Sequence, residues 1–149
     1  MLMVSSTTDL SLDLANDLRP VVLRIARQLR KETEQFGVTS RQATLLFLVK
    51  ASPGLTLRAL AEAEGISAPA LSGHVDRLES AGHLVRVRDA VDRRRVGLEL
   101  TPKGERLIRS IRERRTAWLA ERLEELEPDE LRAIEGAIGP LLRLAGPRA

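Results

Sequence analysis

Cysteine and tyrosine are absent from this chain, tryptophan occurs once, and phenylalanine and histidine occur twice each. Without cysteine there is no disulfide, thiol nucleophile or thiolate ligand within the chain, and peroxide has no sulfenate-to-disulfide route. The two histidines, His74 and His83, stand nine residues apart with no His-x-x-Glu-His run around them. They offer no metal-ligand spacing, so no metal and no other cofactor is expected. His74 adjoins an apolar stripe, which suits packing or a phosphate contact better than metal binding. The glycines form neither a phosphate-cradling loop nor a dinucleotide fingerprint, and Gly-x-Ser-x-Gly does not occur. Acidic residues do cluster, at Glu121, Glu124, Glu125, Glu127, Asp129 and Glu130, but as a solvated run around a helix junction. No catalytic residue is predicted, and the chain does not read as an enzyme. No apolar run approaches the ~18 residues of a membrane span and no signal-peptide core follows the start, so a cytoplasmic protein without membrane contact is expected.

What is present is leucine, alanine and arginine. Of 149 residues, 43% are hydrophobic and only 2% aromatic, so the core has to be aliphatic and the fold mainly helical. The length suffices for one domain or two small subdomains with a real core. The net charge is only +3, but arginine supplies nearly all the positive charge and the isoelectric point is near 10.1. That balance suits nucleic acid and equally an ordinary soluble protein.

The informative stretch is residues 55–107. Thr56 is an N-cap for a helix with Leu57, Leu60 and Ala61 on one face, and Gly65 ends it. Ser67 caps a second helix, with Pro69 in its first turn and Leu71, Val75 and Leu78 at i, i+4 and i+7. Gly82 stops that helix. Two helices joined by about three residues with a glycine in the link form a helix-turn-helix. Next, Leu84-Val85-Arg86-Val87-Arg88 and Val96-Gly97-Leu98-Glu99-Leu100 alternate with period two, as half-buried strands do. The loop between them ends in Arg93-Arg94-Arg95, where a plain structural turn would favour Asn-Gly or Asp-Gly. A helix-turn-helix followed at once by a basic hairpin is a winged helix. Leu55, beside the turn Ser52-Pro53-Gly54, is placed to add a short third strand.

Helical patterns flank this module. One runs from Asp9 with Leu14, Leu18, Val21, Ile25 and Leu29 along a stripe; Pro20 kinks it or marks a fresh start near Asp17, and Gly37 ends it. Residues 1–8 lack any period. Thr39 or Ser40 caps the next helix, and Thr101-Pro102 opens a long one carrying Leu107, Ile111, Trp118 and Leu123. Pro128 begins the last, which Gly139-Pro140 bends or stops. The predicted class is mainly α with a small β-wing, a winged helix-turn-helix flanked by N- and C-terminal dimerisation helices. The divisions are 9–36, 38–104 and 105–146. Apolar stripes on the terminal helices need a partner surface. A two-fold homodimer supplies one and sets two reading helices about one duplex turn apart on a palindrome.

Leu60-Ala61-Glu62, Ile66-Ser67, Val75-Asp76-Arg77-Leu78-Glu79, Asp92-Arg93-Arg94 and Leu100-Thr101-Pro102-Lys103-Gly104 together resemble the MarR group of bacterial transcription regulators. The resemblance implies a homodimeric winged-helix repressor or activator of double-stranded DNA, tuned by a small ligand or by oxidation. It also implies that Arg94 enters the minor groove beside the site read by the helix. Ser67, Ala68, Pro69, Ser72, Gly73 and Arg77 are the candidate major-groove face, and Arg86, Arg88, Arg93 and Arg95 candidate wing contacts, mainly to phosphate. Arg77 is placed to contact phosphate or to pair with Asp92, whose carboxylate would then brace the wing; the alternative is a local pair with Asp76 or Glu79 on its own helix. Relatives often carry a long polar or basic residue near Ala68 and an arginine at the position of Gly73. The small residues here imply modest direct readout, with Gly73 allowing close approach and specificity drawn from DNA shape. A possible effector, an aromatic or amphipathic acid, would find Phe36, Phe47 and Trp118 as candidate pocket walls. A ligand-independent regulator and a protein-interaction module are the alternatives, the arginine tip speaking against the second.

Overall fold

The computed structural model describes residues 3–147, with side chains from Thr7 onward. The elements run α1 (Met3–Lys31), a 3-10 turn (Glu34–Phe36), α2 (Ser40–Ala51), β1 (Leu55–Thr56), α3 (Leu57–Glu64) and α4 (Ala68–Ser80). There follow β2 (Leu84–Arg88), β3 (Val96–Leu100), α5 (Pro102–Leu123) and α6 (Pro128–Ala145). The strands form one antiparallel sheet in the order β1-β3-β2, so the class is the predicted one. The chain divides into two compact units, one through Arg115 and one from Thr116.

In the first unit, aliphatic side chains from every element of the winged helix meet. Leu45 and Leu46 of α2, Leu60 of α3, Leu71 and Leu78 of α4, Leu84 and Leu98 of the hairpin and Ile111 of α5 are fully buried. Each contributes roughly 1.5–3 kcal/mol relative to an exposed position. Local signals set the element limits. Thr39, rather than Ser40, caps α2 in a reciprocal box: its hydroxyl accepts the Gln42 N–H (3.1 Å), and Gln42 Oε1 accepts the Thr39 N–H (3.0 Å). The Thr56 hydroxyl accepts the Ala59 N–H, and Gly65, at φ +61°, closes α3 in the left-handed conformation.

The joint between wing and α5 is tight. Thr101 Oγ1 accepts the Gly104 N–H (3.0 Å) and donates to the Gly82 carbonyl (2.5 Å), while the Thr101 N–H reaches the His83 carbonyl (3.1 Å). Gly104 lies so close that a β-carbon there would overlap the His83 carbonyl oxygen.

Helix limits at the two ends differ from the sequence expectation. Helix α1 is already formed at Met3, earlier than Asp9, while residues 1 and 2 of the expected irregular start lie outside the described residues. Pro20 neither ends nor restarts it: the carbonyl it frees, on Asn16, is at an exposed position where water can take its place. The helix stops at Lys31, short of Gly37, because Thr33 turns inward. Its hydroxyl accepts from Arg115 Nη2 (2.6 Å) and Nε (3.2 Å), and Phe36 packs on the core. Gly37 closes the 3-10 turn instead. Likewise α6 continues through Pro140 to Ala145. The residue four positions before that proline is Gly136, whose lack of a side chain leaves its carbonyl open to solvent.

In the second unit, Trp118 is buried beneath Arg122, whose guanidinium lies 3.9 Å from the ring centre and donates to the Trp118 carbonyl (3.0 Å). Ile134, Ile138, Leu142 and Leu144 of α6 are exposed.

Candidate nucleic-acid interface

Helix α4 presents two faces with opposite chemistry. Leu71, Val75 and Leu78 are buried, whereas Ser67, Ala68, Pro69, Asp76 and Arg77 are exposed and Ser72 and Gly73 half-buried. The Ser67 hydroxyl accepts the Ala70 N–H (3.3 Å), so the cap serves the helix and one edge of Ser67 still faces outward. A β-carbon at Gly73 would meet nothing within 4 Å, so nothing in the fold itself demands a glycine there. His74 Nδ1 is buried with no hydrogen-bond partner among the described residues.

The wing has the predicted strands, and the face that carries Leu84 and Leu98 is the one turned inward. In the β2–β3 register Leu84 faces Leu100, Arg86 faces Leu98 and Arg88 faces Val96. Leu84 and Leu98 are fully buried, so by strict alternation Val85 and Val87 point outward, at 41% and 39% exposure. Arg86 is thereby turned toward the reading helix. Its Nη2 donates to Asp76 Oδ1 and its Nη1 to Glu79 Oε1, both at 2.6 Å, while its backbone N–H reaches Glu79 Oε2 (3.2 Å). With its side chain only 25% exposed, its pKa is raised, first by the Asp76 hydrogen bond and then by Glu79, against the opposing effect of burial. Arg86 was expected at phosphate; its guanidinium is instead committed to fastening β2 onto α4. This also takes up the two carboxylates considered as partners for Arg77, which has no ion pair among the described residues.

At the hairpin tip, Asp89 Oδ1 accepts the N–H groups of Val91 (2.8 Å) and Asp92 (3.2 Å), and these bonds hold its carboxyl below the usual range. Asp92 Oδ1 accepts from Arg94 N (3.1 Å) and Nε (3.2 Å), so Asp92 contacts Arg94 and not Arg77. Arg94 nevertheless stays 93% exposed. Arg88, Arg93 and Arg95 are exposed as well, with no side-chain ion pair among the described residues.

The aromatic residues take other places. Phe36 and Phe47 pack on the core of the first unit, with the guanidiniums of Arg112 and Arg115 each 5.7 Å from the Phe47 ring centre. Trp118 belongs to the second unit. The Arg115 pKa is lowered by burial and by the charge of Arg30. His83 is buried, its Nδ1 unpartnered among the described residues, and burial together with the Lys103 ammonium lowers its pKa. No cluster of potential metal ligands occurs among the described residues, and no described helix is long and apolar enough to cross a membrane.

Three residues of this surface escaped the sequence reading in their actual roles. Asp76 and Glu79 are three apart on one helix, an available sign of a shared cation, but nothing local pointed to Arg86. Arg58, in the first turn of α3, lines one cleft with Arg94 and Arg95 of the wing, and no local pattern in the sequence singles it out.

A reading helix, a basic hairpin and a third strand pairing Leu55 with Leu98 define a winged helix-turn-helix protein. The chain belongs to the MarR family of transcriptional regulators, which are not enzymes. The MarR family model matches residues 36–95. An uncharacterized HTH-type transcriptional regulator of Mycobacterium leprae is 32% identical over 131 residues, spanning 88% of this chain and 92% of that one. Among solved structures, transcriptional regulator Tm0710 from Thermotoga maritima is similar at 27% identity and a TM-score of 0.76, over 87% of this chain and 92% of that one. A MepR mutant from S. aureus, bound to an oligodeoxyribonucleotide, shares the fold at 22% identity and a TM-score of 0.69, over 88% and 96% of the two chains.

Proposed function

We propose that this regulator is a repressor that binds a palindromic operator as a homodimer and is released by a small aromatic or amphipathic acid. The observation that carries the DNA-binding reading is the pairing, within one module, of an exposed α4 edge with three exposed arginines at the hairpin tip. The N-terminal end of α4 enters the major groove, where Ser72 bonds a base edge or phosphate and Ala68 or Pro69 touches a thymine methyl. Arg94 enters the adjacent minor groove, whose negative potential is strongest at A·T-rich steps. Arg77, Arg88, Arg93 and Arg95 are left for phosphates, and Arg86 holds the hairpin at its angle.

Dimerisation is supported by apolar surface that water would otherwise cover. Leu10, Leu14, Val21 and Ile25 of α1 are exposed, as are Ile134, Ile138 and Leu142 of α6. Two-fold pairing through the terminal helices buries such faces and matches a palindrome. An acidic effector is supported by Phe47 under two guanidiniums, an aromatic and cationic surface suited to an aromatic carboxylate. Such a ligand releases DNA by preferring a spacing of the reading heads that the operator does not fit.

The test is enrichment of duplexes from a random-sequence pool, with sedimentation of the free protein. An inverted repeat bound by a single dimer species is the expected outcome. Arg94→Ala should weaken binding by roughly 1–3 kcal/mol per site and erase preference for A·T flanks. Equal binding by the variant at every salt concentration, or a stable folded monomer, would contradict the reading.

A further inference from the structure

Arg58, in the first turn of α3, lines two clefts at once. One, of about 800 Å³, lies between α3 and the start of α4 and includes Ala68, Pro69 and Ser72. The other, of about 460 Å³, lies between α3 and the wing, where Arg58 meets Arg94 and Arg95 with no acidic side chain in the wall. Arg58 therefore sits between the helix face assigned to a major groove and the hairpin assigned to the neighbouring minor groove. In B-form DNA, one sugar–phosphate strand separates two adjacent grooves. A protein that fills both must straddle that strand, and whatever surface lies between the two elements faces it.

We infer that Arg58 and Arg95 form a phosphodiester clamp on the strand between the two grooves, with Glu62 as its built-in competitor. The inference rests on the DNA-binding reading above. In the free protein Arg58 Nε lies 3.3 Å from Glu62 Oε1, with the two side chains 90% and 70% exposed. An i,i+4 pair so fully hydrated is weak, whereas the guanidinium fork matches two phosphate oxygens. Phosphate therefore displaces Glu62 readily, and the released carboxylate is then repelled by the DNA. Arg95 has no ion pair within bonding distance among the described residues and feels only the nearby Asp89 charge, while Arg94, steadied by Asp92, remains for the groove. A clamp on the backbone fixes register and adds affinity without reading sequence.

The full-length protein is titrated over a salt series with a duplex it has itself enriched from a random pool, and with a scrambled duplex of the same composition. Arg58→Gln should flatten the dependence of log affinity on log salt by about one unit per protomer, equally on both duplexes. Arg58→Lys keeps the charge and should retain the slope with weaker binding. Glu62→Gln should tighten binding in the wild-type background, and by less once Arg58 is Gln, where only the carboxylate's repulsion from the DNA is relieved. An unchanged slope in Arg58→Gln, alongside a weakened Arg94→Ala, overturns the clamp and leaves the DNA-binding reading standing. A wild-type protein that enriches nothing and retains neither duplex overturns that reading, and the clamp with it.

Discussion

Replacing Arg86 by alanine separates two physical roles that an arginine on a wing strand can play. A phosphate ligand would leave the free protein's stability unchanged and flatten the salt dependence of DNA binding by about one unit per protomer. The structure supports the other outcome. Two charge-assisted hydrogen bonds of 2.6 Å join Arg86 to Asp76 and Glu79, and only the backbone bond to Glu79 would survive the substitution. Such bonds contribute about 1.5–3 kcal/mol each when desolvated, against about 0.2–1 kcal/mol for exposed pairs. Asp76 is largely exposed, so its arm belongs near the lower figure; Glu79 is more sheltered and lies between the two. The sum is a loss of about 1–2 kcal/mol, read as a lower urea midpoint at constant m-value. A double-mutant cycle with Glu79→Gln should return a coupling of about 0.5–1.5 kcal/mol. DNA binding should weaken too, because the hairpin loses its angle and Asp76 is left unpaired on the reading helix. Adding Asp76→Asn should restore part of that loss. Unchanged stability together with a salt slope flattened by one unit would refute the fastening role and return Arg86 to the phosphate.

Two further outcomes concern His83 and a pair of helical glycines. The imidazole of His83 is held below its ordinary pKa of 6.5, so as pH falls through that value the unfolded chain takes up the proton first. The His83 contribution is therefore fully present above pH 6.5 and declines below it, and the acid-side drop in melting temperature should be shallower in His83→Gln than in wild type. Alanine at Gly73 and at Gly104 should act in opposite directions. Both lie in helices, where alanine is favoured over glycine by about 0.5–1 kcal/mol. At Gly73, with open space around the new methyl, that gain should appear as a higher urea midpoint. At Gly104 the methyl would meet the His83 carbonyl, and overpacking of about 1–3 kcal/mol or more should lower the midpoint.

The parts legible in advance were those governed by local chemistry. Thr56 and Ser67 as caps, Gly65 as a stop, Thr101-Pro102 as a helix start and the limits of both wing strands depend on residues within a few positions of one another. The face of the hairpin did not. Val85 and Val87 alternate with Arg86 and Arg88, and alternation marks two faces without saying which is covered. The choice was made by Leu84 and Leu98, each buried by distant elements, and by two carboxylates seven and ten residues away in sequence, which let an arginine face inward. The end of α1 was hidden for the same reason. Thr33 is an unremarkable polar residue until Arg115, 82 positions later, draws its hydroxyl inward.

Trp118 has an optical consequence. It is the sole tryptophan of a chain without tyrosine, and it lies in the unit that begins at Thr116. Intrinsic fluorescence excited at the indole band therefore reports the surroundings of this one side chain, shifting as the Arg122 guanidinium leaves the ring. The far-ultraviolet helix signal, by contrast, is the sum over the helices of both units. One chain without labels thus carries a local and a global thermometer, and whether their transitions coincide tests whether the chain unfolds in a single step.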